Sequence, residues 1–180
     1  MTKPPKCKVC KQEFTRFRPL QQVCSPKCAA EHAKKAREKK ERVEHRKAKE
    51  RIKSRSDWLK EAQAGFNKYI RLRDKDEPCI SCKRHHDGQY HAGHYRTVGS
   101  CPELRFCEDN CHKQCAPCNN HKSGNIVEYR INLRSRIGDE RLNSLEGPHE
   151  PKKYTIDEIK AIKAKFSKMA RELERFGQGV

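Results

Sequence analysis

The chain has 180 residues, a formal net charge of +18 and eleven cysteines. Only 33% of its residues are hydrophobic while 37% are charged, which excludes one large apolar core. It shows neither a leading apolar stretch typical of secretory signals nor a run long enough to span a membrane. Because paired cysteines in a reducing cell interior are more often metal ligands than disulfides, we expect a metal-stabilised intracellular protein.

The positive charge of the chain predicts a negatively charged binding partner. Such a field attracts polyanions and favours contacts with phosphate groups that do not depend on base sequence. A solvated basic surface without a partner is the alternative, and nucleic acid is the interpretation that we favour.

The first predicted domain, residues 1–30, is a zinc finger. A Cys-x2-Cys pair is followed, thirteen residues later, by a Cys-x3-Cys pair, and the four cysteines are Cys7, Cys10, Cys24 and Cys28. Four protein ligands leave no position for water, so this zinc is predicted to be structural rather than catalytic. Four independent thiols are the alternative. The residues after CSPKC favour a helix, so we expect Cys28 near its N-terminus.

Residues 31–55 are predicted to form a basic helical arm. From Lys34 to Arg55 the segment holds twelve lysines and arginines against four acidic residues. Good helix formers without glycine or proline predict a solvated helix. This helix is either a spacer or an arm that contacts phosphates, and the candidate DNA-binding residues in it are Lys39, Arg42 and Arg46.

The third predicted domain spans residues 56–137 and opens with a core helix. Apolar residues recur there at helical spacing, namely Trp58, Leu59, Ala62, Phe66, Tyr69 and Ile70. We interpret this stripe as a packing face rather than a base-stacking platform, and Ser54 or Ser56 as its cap.

A second set of four cysteines follows. Two remote Cys-x-x-Cys pairs are typical of a structural zinc site, and they are Cys79 with Cys82 and Cys115 with Cys118. Three cysteines outside these pairs are predicted to be ordinary thiols, a third zinc site being the less favoured alternative, and they are Cys101, Cys107 and Cys111.

Between the two pairs lies the segment that we expect to carry chemistry. Asp87 and Gly88 form a candidate tight hairpin turn, and a strand after it presents His91 and His94.

The C-terminal domain, residues 138–180, is predicted to be helical. A helix from residue 126 is expected to break at Gly138, and Thr155 with Glu158 forms a candidate capping box for a last amphipathic helix. This helix packs either on its own domain or against a second copy of the chain.

The run NCHKQCAPCNNHK resembles the signature of the HNH, or ββα-metal, nucleases. That signature has an asparagine, two cysteines five and eight residues later, a metal-binding residue directly after them and a lysine three beyond. The matching residues are Asn110, Cys115, Cys118, Asn119 and Lys122. Asparagine replaces the last histidine of the family name, as in phage endonuclease VII, a four-way-junction resolvase.

Over nearly its whole length the chain is similar to the NinG (Rap) recombination endonucleases of lambdoid phages, from KCKVCKQEF through RSDWLKEAQ and HAGHYRTVG to GPHEPKKYTIDE. The resemblance implies a small, zinc-stabilised α+β fold with an N-terminal finger, a long basic helix, an HNH-like core and C-terminal helices. It also implies an endonuclease that cuts Holliday junctions and D-loops in the cytoplasm of a bacterial host, alongside host or phage recombination proteins.

The resemblance assigns roles to three catalytic residues. His94 matches the general base, and neutral imidazole suits proton abstraction near pH 7. Asn110 orients that histidine or braces its loop, and Asn119 places an oxygen on a catalytic Mg²⁺ or Mn²⁺.

One position departs from the pattern. Many HNH enzymes have a metal-binding residue just before the base, where this chain has Gly93. His91 is the nearest substitute, and a bulge at Gly93 would bring it to the same face as His94. His112 and His121 are competing ligands.

Contacts with DNA phosphates in this core are expected from Arg96, Lys113 and Lys122. A homodimer would suit paired cuts in a four-way junction. The alternative function is a zinc-dependent nucleic-acid-binding protein that keeps the HNH-like scaffold without catalysis.

Overall fold

The chain folds as two separate units, one ending at Lys53 and the other beginning at Ser54. They are seen in a computed structural model that describes residues 4–177. The protein is a small α+β protein in which four longer helices accompany a two-stranded sheet within the described range. None of the helices in that range has the length and apolar character needed to cross a bilayer.

The first unit contains a short cysteine-bearing segment and the basic helix. An isolated bridge pairs Lys6 with Glu13. Helix α1 spans Pro26–Arg51 and buries no residue, as expected for a solvated helix. It begins earlier than the predicted arm because Ser25 caps it, accepting a hydrogen bond from the Cys28 backbone N–H at 3.2 Å.

The second unit begins with helix α2, Arg55–Arg73. Ser54 is its cap and forms a capping box with Asp57, whose side chain accepts from the Ser54 backbone N–H at 3.0 Å. The predicted packing face is confirmed, because five of its residues are buried: Trp58, Ala62, Phe66, Tyr69 and Ile70.

The sheet is an antiparallel hairpin of two five-residue strands, β1 at Tyr90–His94 and β2 at Cys111–Cys115. Tyr90 pairs with Cys115 and His94 pairs with Cys111. Residues 95–110 join the strands and include a 3-10 turn, Pro102–Leu104. The predicted hairpin turn at residues 87–88 is therefore wrong, since these residues form a bend ahead of β1 rather than a link between strands.

Two helices follow the sheet. A single π-helical turn, Pro117–His121, leads to α3, Ile126–Glu146, and α4 spans Ile156–Phe176. The predicted break at Gly138 is confirmed as a kink within α3, where φ is +83°.

The predicted capping box of the last helix is also confirmed. Thr155 accepts from the Glu158 backbone N–H, and the Glu158 carboxylate accepts from that of Thr155. The apolar face of α4 packs on α2 within the same unit, where the Phe166 ring lies 4.8 Å from Phe66 and 5.3 Å from Tyr69.

A buried carboxylate links three elements of the second unit. Asp74, just after α2, is fully buried. It accepts from the guanidinium of Arg73 at 2.8 and 2.9 Å, from Arg136 of α3 at 2.8 Å, and from the Lys113 backbone N–H of β2 at 3.0 Å. Arg73 also donates to the Cys111 carbonyl at 2.9 Å. Because every lone pair meets a donor, the charge remains stable in the interior.

We predict that Asp74→Asn lowers the free energy of unfolding by about 3–5 kcal/mol, because it leaves two guanidinium groups without their charge partner. Burial alone would raise the pKa of Asp74, but the hydrogen bonds and charge of Arg73, with Arg136, bring it below the ordinary 3.8. The stabilisation is therefore complete above that value and is lost as pH falls through the lower folded-state pKa. Urea unfolding at pH 7 and between pH 4 and 2 measures both effects.

The matched control is Asp139→Asn. Asp139 pairs with Arg134 on an exposed surface, so its loss should cost about 1 kcal/mol or less. An equal loss in the two variants would show that the Asp74 network does not hold the unit together.

Candidate functional site

The core cysteine group consists of Cys79, Cys82, Cys115 and Cys118. Their four sulfur atoms all lie within 4.8 Å of one another. The Cys115 backbone N–H donates to the Cys79 sulfur at 3.3 Å, which fixes the end of β2 on the first pair. Four converging thiolates without an open position suit a structural zinc ion, so the residues brought together match the predicted set.

The N-terminal cysteine group brings together Cys7, Cys10, Cys24 and Cys28, again with all sulfur atoms within 4.8 Å. Cys28 stands in the first turn of α1, as predicted, where the helix N-terminus favours a thiolate. Both groups can therefore hold zinc. The metal-ligand clusters of the described residues include none of the three remaining cysteines, which line the core, Cys101 and Cys111 buried and Cys107 partly so.

Asn110 braces the connection between the strands and is fully buried. Its side-chain oxygen accepts from the Arg96 backbone N–H at 2.7 Å. Its side-chain nitrogen donates to the carbonyls of Arg96 at 3.0 Å and Leu104 at 3.2 Å. The predicted brace is present in this form, because one amide ties both arms of the loop that follows His94.

His94 ends β1 and points towards α2. Its ring centroid lies 6.0 Å from that of Phe66, and its Nε2 donates to the Arg105 carbonyl at 2.9 Å. Nδ1 lies 3.7 Å from the Cys111 sulfur. Burial lowers the pKa of His94 below 6.5, although the hydrogen bond to Arg105 opposes this, so the imidazole is neutral near pH 7.

The bulge expected at Gly93 is absent. Residues 90–94 pair one-to-one with residues 111–115, so side chains alternate regularly along β1. His91 therefore projects from the face opposite to His94. The Nε2 atom of His91 is buried and has no hydrogen-bond partner.

Gly93 also has a packing reason to be glycine. An ideal Cβ there would lie 2.1 Å from the side-chain oxygen of Gln114 and 3.0 Å from its Cβ. Gln114 is held in place by hydrogen bonds to the Ser81 hydroxyl, at 2.6 Å, and to the Gly124 carbonyl. No carboxylate fits at position 93 while Gln114 keeps this conformation.

The other predicted ligands form no hydrogen bond with His94 within the described residues. Asn119 is in the Pro117–His121 turn, and its side-chain nitrogen donates to the Asn120 side-chain oxygen at 2.8 Å. Among the residues that the structure describes, it shares no hydrogen bond with either strand histidine. His121 is exposed. His112 is buried beside Tyr129, 3.4 Å from its hydroxyl, and burial, together with the charge of Arg73, lowers its pKa to about 3.

The residues predicted to contact phosphates differ in their exposure to solvent. Lys122 is exposed, as are the three basic residues of α1: Lys39, Arg42 and Arg46. Arg96 is partly buried, with its Nε donating to the Cys101 sulfur at 3.4 Å.

The prediction for Lys113 is wrong. This residue is only 5% exposed, because its ammonium donates to the Lys75 carbonyl at 2.8 Å and lies 4.4 Å from the Tyr90 ring centre.

Two groups escaped the sequence interpretation. They are Asp74, which directly follows α2, and Gln114, which directly precedes Cys115, and neither has a role in the sequence-based predictions. The glycine at position 93, where a metal-binding residue was expected, was the one sequence signal that a large side chain packs against this position. His86 also adjoins the core cysteine group, with its Nε2 3.2 Å from the Cys82 sulfur.

The family model and the related proteins that match this chain all indicate the same family. The family model described as Bacteriophage Lambda NinG protein matches residues 1–176. The chain is 44% identical over 196 residues to Protein ninG of Escherichia phage lambda, and 43% identical over 195 residues to that of Escherichia phage 933W, with 96% of each chain covered. It is 43% identical to Protein ninG of Salmonella phage P22, covering 91% of this chain and 92% of that one. No solved structure matches the chain.

We predict that Cys115→Ser unfolds the second unit, because structural zinc supplies folding free energy that the small core cannot replace. Zinc content should fall from two equivalents to one, and the cooperative thermal transition seen by circular dichroism should disappear. Cys107→Ser is the control and should keep both equivalents. Retention of two zinc ions by Cys115→Ser would contradict the assignment of this ligand.

We also predict that Gly93→Ala lowers the free energy of unfolding by about 1–3 kcal/mol, since the new methyl group meets the Gln114 side chain. Adding Gln114→Ala should show favourable coupling in a double-mutant cycle measured by urea unfolding. Gly88→Ala, which has nothing within 4 Å of its ideal Cβ, should be nearly neutral. Additive effects at positions 93 and 114 would refute the steric explanation.

Proposed function

The chain belongs to the NinG family, and from this premise we propose that it is a metal-dependent endonuclease that hydrolyses branched DNA such as Holliday junctions and D-loops. The observation that carries the proposal is the braced loop after His94. The core cysteine group and Asn110 hold this imidazole on a rigid hairpin, which is the positioning that a general base needs.

The hydrogen bonds of His94 suit a base. A carbonyl can only accept, so Nε2 carries the proton and donates to Arg105, which leaves the lone pair on Nδ1. The lowered pKa keeps Nδ1 unprotonated at neutral pH. Its lone pair faces the buried Cys111 thiol at 3.7 Å, so the attacking water must displace that contact. In the proposed reaction, Nδ1 removes a proton from the attacking water.

Asn110 acts through the loop rather than on the substrate. By bonding to Arg96 and to Leu104 it fixes the backbone that follows His94 and the residue directly before Arg105. This is a positioning role, because the Arg105 carbonyl sets the tautomer of His94.

His91 and Asn119 would hold the catalytic cation. The buried Nε2 of His91 has no partner and offers a nitrogen ligand, while the Asn119 amide donates through nitrogen and keeps its oxygen available. Such a donor set suits Mn²⁺ or Mg²⁺. When bound, the ion supplies positive charge at the scissile phosphate and at the leaving oxygen. Strand alternation places His94 on the face opposite to His91, so His94 is not a ligand of this cation, and one phosphate meets both groups only if the hairpin changes its conformation on binding.

The charge of the chain supports DNA as the substrate. The net charge is +18, and the exposed side chains of Lys39, Arg42 and Arg46 on α1 can bind phosphates without base specificity. A homodimer on the junction belongs to this proposal, and sedimentation of the protein bound to a junction measures it.

One observation favours the alternative of a DNA-binding protein without catalysis. His94 packs against Phe66 and bonds to a backbone carbonyl, as a histidine of purely structural role does. The two functions differ in whether removal of the imidazole affects cleavage or only stability.

We predict that His94→Ala reduces cleavage of a synthetic four-way junction by about 100-fold or more, because a general base contributes that factor. The wild-type protein should remain active at pH values below 6.5, the ordinary histidine pKa, since the base stays neutral there. Junction binding and the two zinc equivalents should be retained, which separates lost chemistry from lost folding. His45→Ala, which changes an exposed histidine of α1, is the control.

His91→Ala should weaken activation by Mn²⁺ without changing DNA affinity. Linear duplex and single strand complete the assay, each with and without Mg²⁺ or Mn²⁺. Full cleavage by both the His94 and His91 variants would remove both residues from the mechanism. Absence of cleavage by the wild-type protein with either ion would end the hydrolytic proposal and leave the binding function.

A further inference from the structure

A loop in the first unit exposes two large apolar side chains. Phe17 is 84% exposed and Leu20 is 86% exposed, the highest values among the large hydrophobic residues that the structure describes. Since exposure of such side chains to water is unfavourable, a paired display of this kind commonly marks a contact surface.

The loop is ordered by hydrogen bonds. The Phe17 backbone N–H donates to the side-chain oxygen of Gln21 at 2.8 Å, and the Gln21 side-chain nitrogen donates to the Val23 carbonyl at 2.8 Å. Val23 directly precedes Cys24 of the N-terminal cysteine group. These bonds join the backbone of Phe17 to the segment that precedes the N-terminal cysteine group, which lowers the entropic cost of ordering the loop on binding.

Two arginines flank the aromatic ring in sequence. Arg16 and Arg18 are exposed, and across residues 4–177 neither forms an ion pair with a carboxylate. A cleft of about 410 Å³ adjoins the ring, and its lining includes Phe17, Val23, Pro26 and Ala29 together with Arg18. A partly apolar cleft beside an exposed aromatic ring and an arginine fits an aromatic base whose backbone carries a phosphate.

We propose that Phe17 and Leu20 form a wedge that stacks on unpaired or unstacked bases at the branch point of DNA, while Arg16 and Arg18 bind the adjacent phosphates. This inference rests on the proposed function for its substrate. An aromatic ring stacks on any base, so the contact does not depend on sequence. An intact duplex hides its base faces, whereas a branch point exposes them, so the wedge confers selectivity for structure.

The chemistry favours this occupant over a protein partner. Two side chains on one loop offer much less area than a stable protein interface requires. The flanking positive charges complement a polyanion.

The test compares binding of the full-length protein to a four-way junction and to linear duplex, without added Mg²⁺ or Mn²⁺. The junction carries 2-aminopurine at the branch point in one preparation and within an arm in another. Phe17→Ala should weaken junction binding about 5-fold to 100-fold, the range for loss of one stacked base, and leave duplex binding within about two-fold. The branch-point fluorescence change should be lost as well.

Three variants control the result. Phe17→Trp should restore junction affinity. Phe176→Ala removes another largely exposed phenylalanine, 80% exposed in the second unit, and should have no effect. Arg18→Gln should weaken binding to both DNAs and reduce its dependence on salt. Zinc content of two equivalents verifies that each variant is folded.

The outcomes separate the wedge from the nuclease. Selective junction binding that depends on Phe17, without cleavage by the wild-type protein, supports the wedge and refutes hydrolysis. Normal cleavage and junction binding by Phe17→Ala overturn the wedge alone. Equal affinity of the wild type for junction and duplex also overturns it, as does a Phe17 effect confined to binding of vesicles containing anionic lipid.

Discussion

The buried carboxylate of Asp74 is the interaction on which the second unit depends. It joins the end of α2 to β2 through the Lys113 backbone and to α3 through Arg136, while Arg73 reaches the Cys111 carbonyl. These bonds set the position of β2, whose pairing in turn fixes that of β1. A network of this kind costs desolvation free energy, so its value lies in a single well-defined arrangement rather than in bulk stability.

The core cysteine group fixes one end of the hairpin, as Asp74 fixes β2 at its side. It joins Cys115, the last residue of β2, to a pair 33 residues earlier, and thereby stabilises strands that are too short to do so alone. Asn110 then braces the opposite end of the hairpin. A small protein poor in apolar residues thus holds His94 between a cysteine group that can hold zinc and the hydrogen bonds of one amide, instead of within a large core.

Strand alternation divides the proposed chemistry between two faces. His94 looks towards α2, and His91 leaves the other face with a buried nitrogen that lacks a partner. Gln114 occupies the space where a carboxylate at position 93 would lie, so the ligands for a cation must come from other positions. The exposed apolar loop around Phe17 belongs to the first unit, and in the proposal it recognises branched DNA while residues of the second unit carry out hydrolysis.

The sequence by itself determined the local features: both cysteine groups from their spacing, the solvated helix α1, the packing face of α2, the break at Gly138 and the Thr155 cap. Each of these features is encoded in a short local segment or in pairs of cysteines whose spacing is typical of a metal site. Only the tertiary structure showed that β1 has no bulge at Gly93 and that Lys113 is buried. It also revealed the roles of Asp74 and Gln114. These features depend on contacts between side chains of elements that are distant in sequence. Neither periodicity nor spacing specifies such contacts, because packing and hydrogen bonding in the folded interior depend on each other.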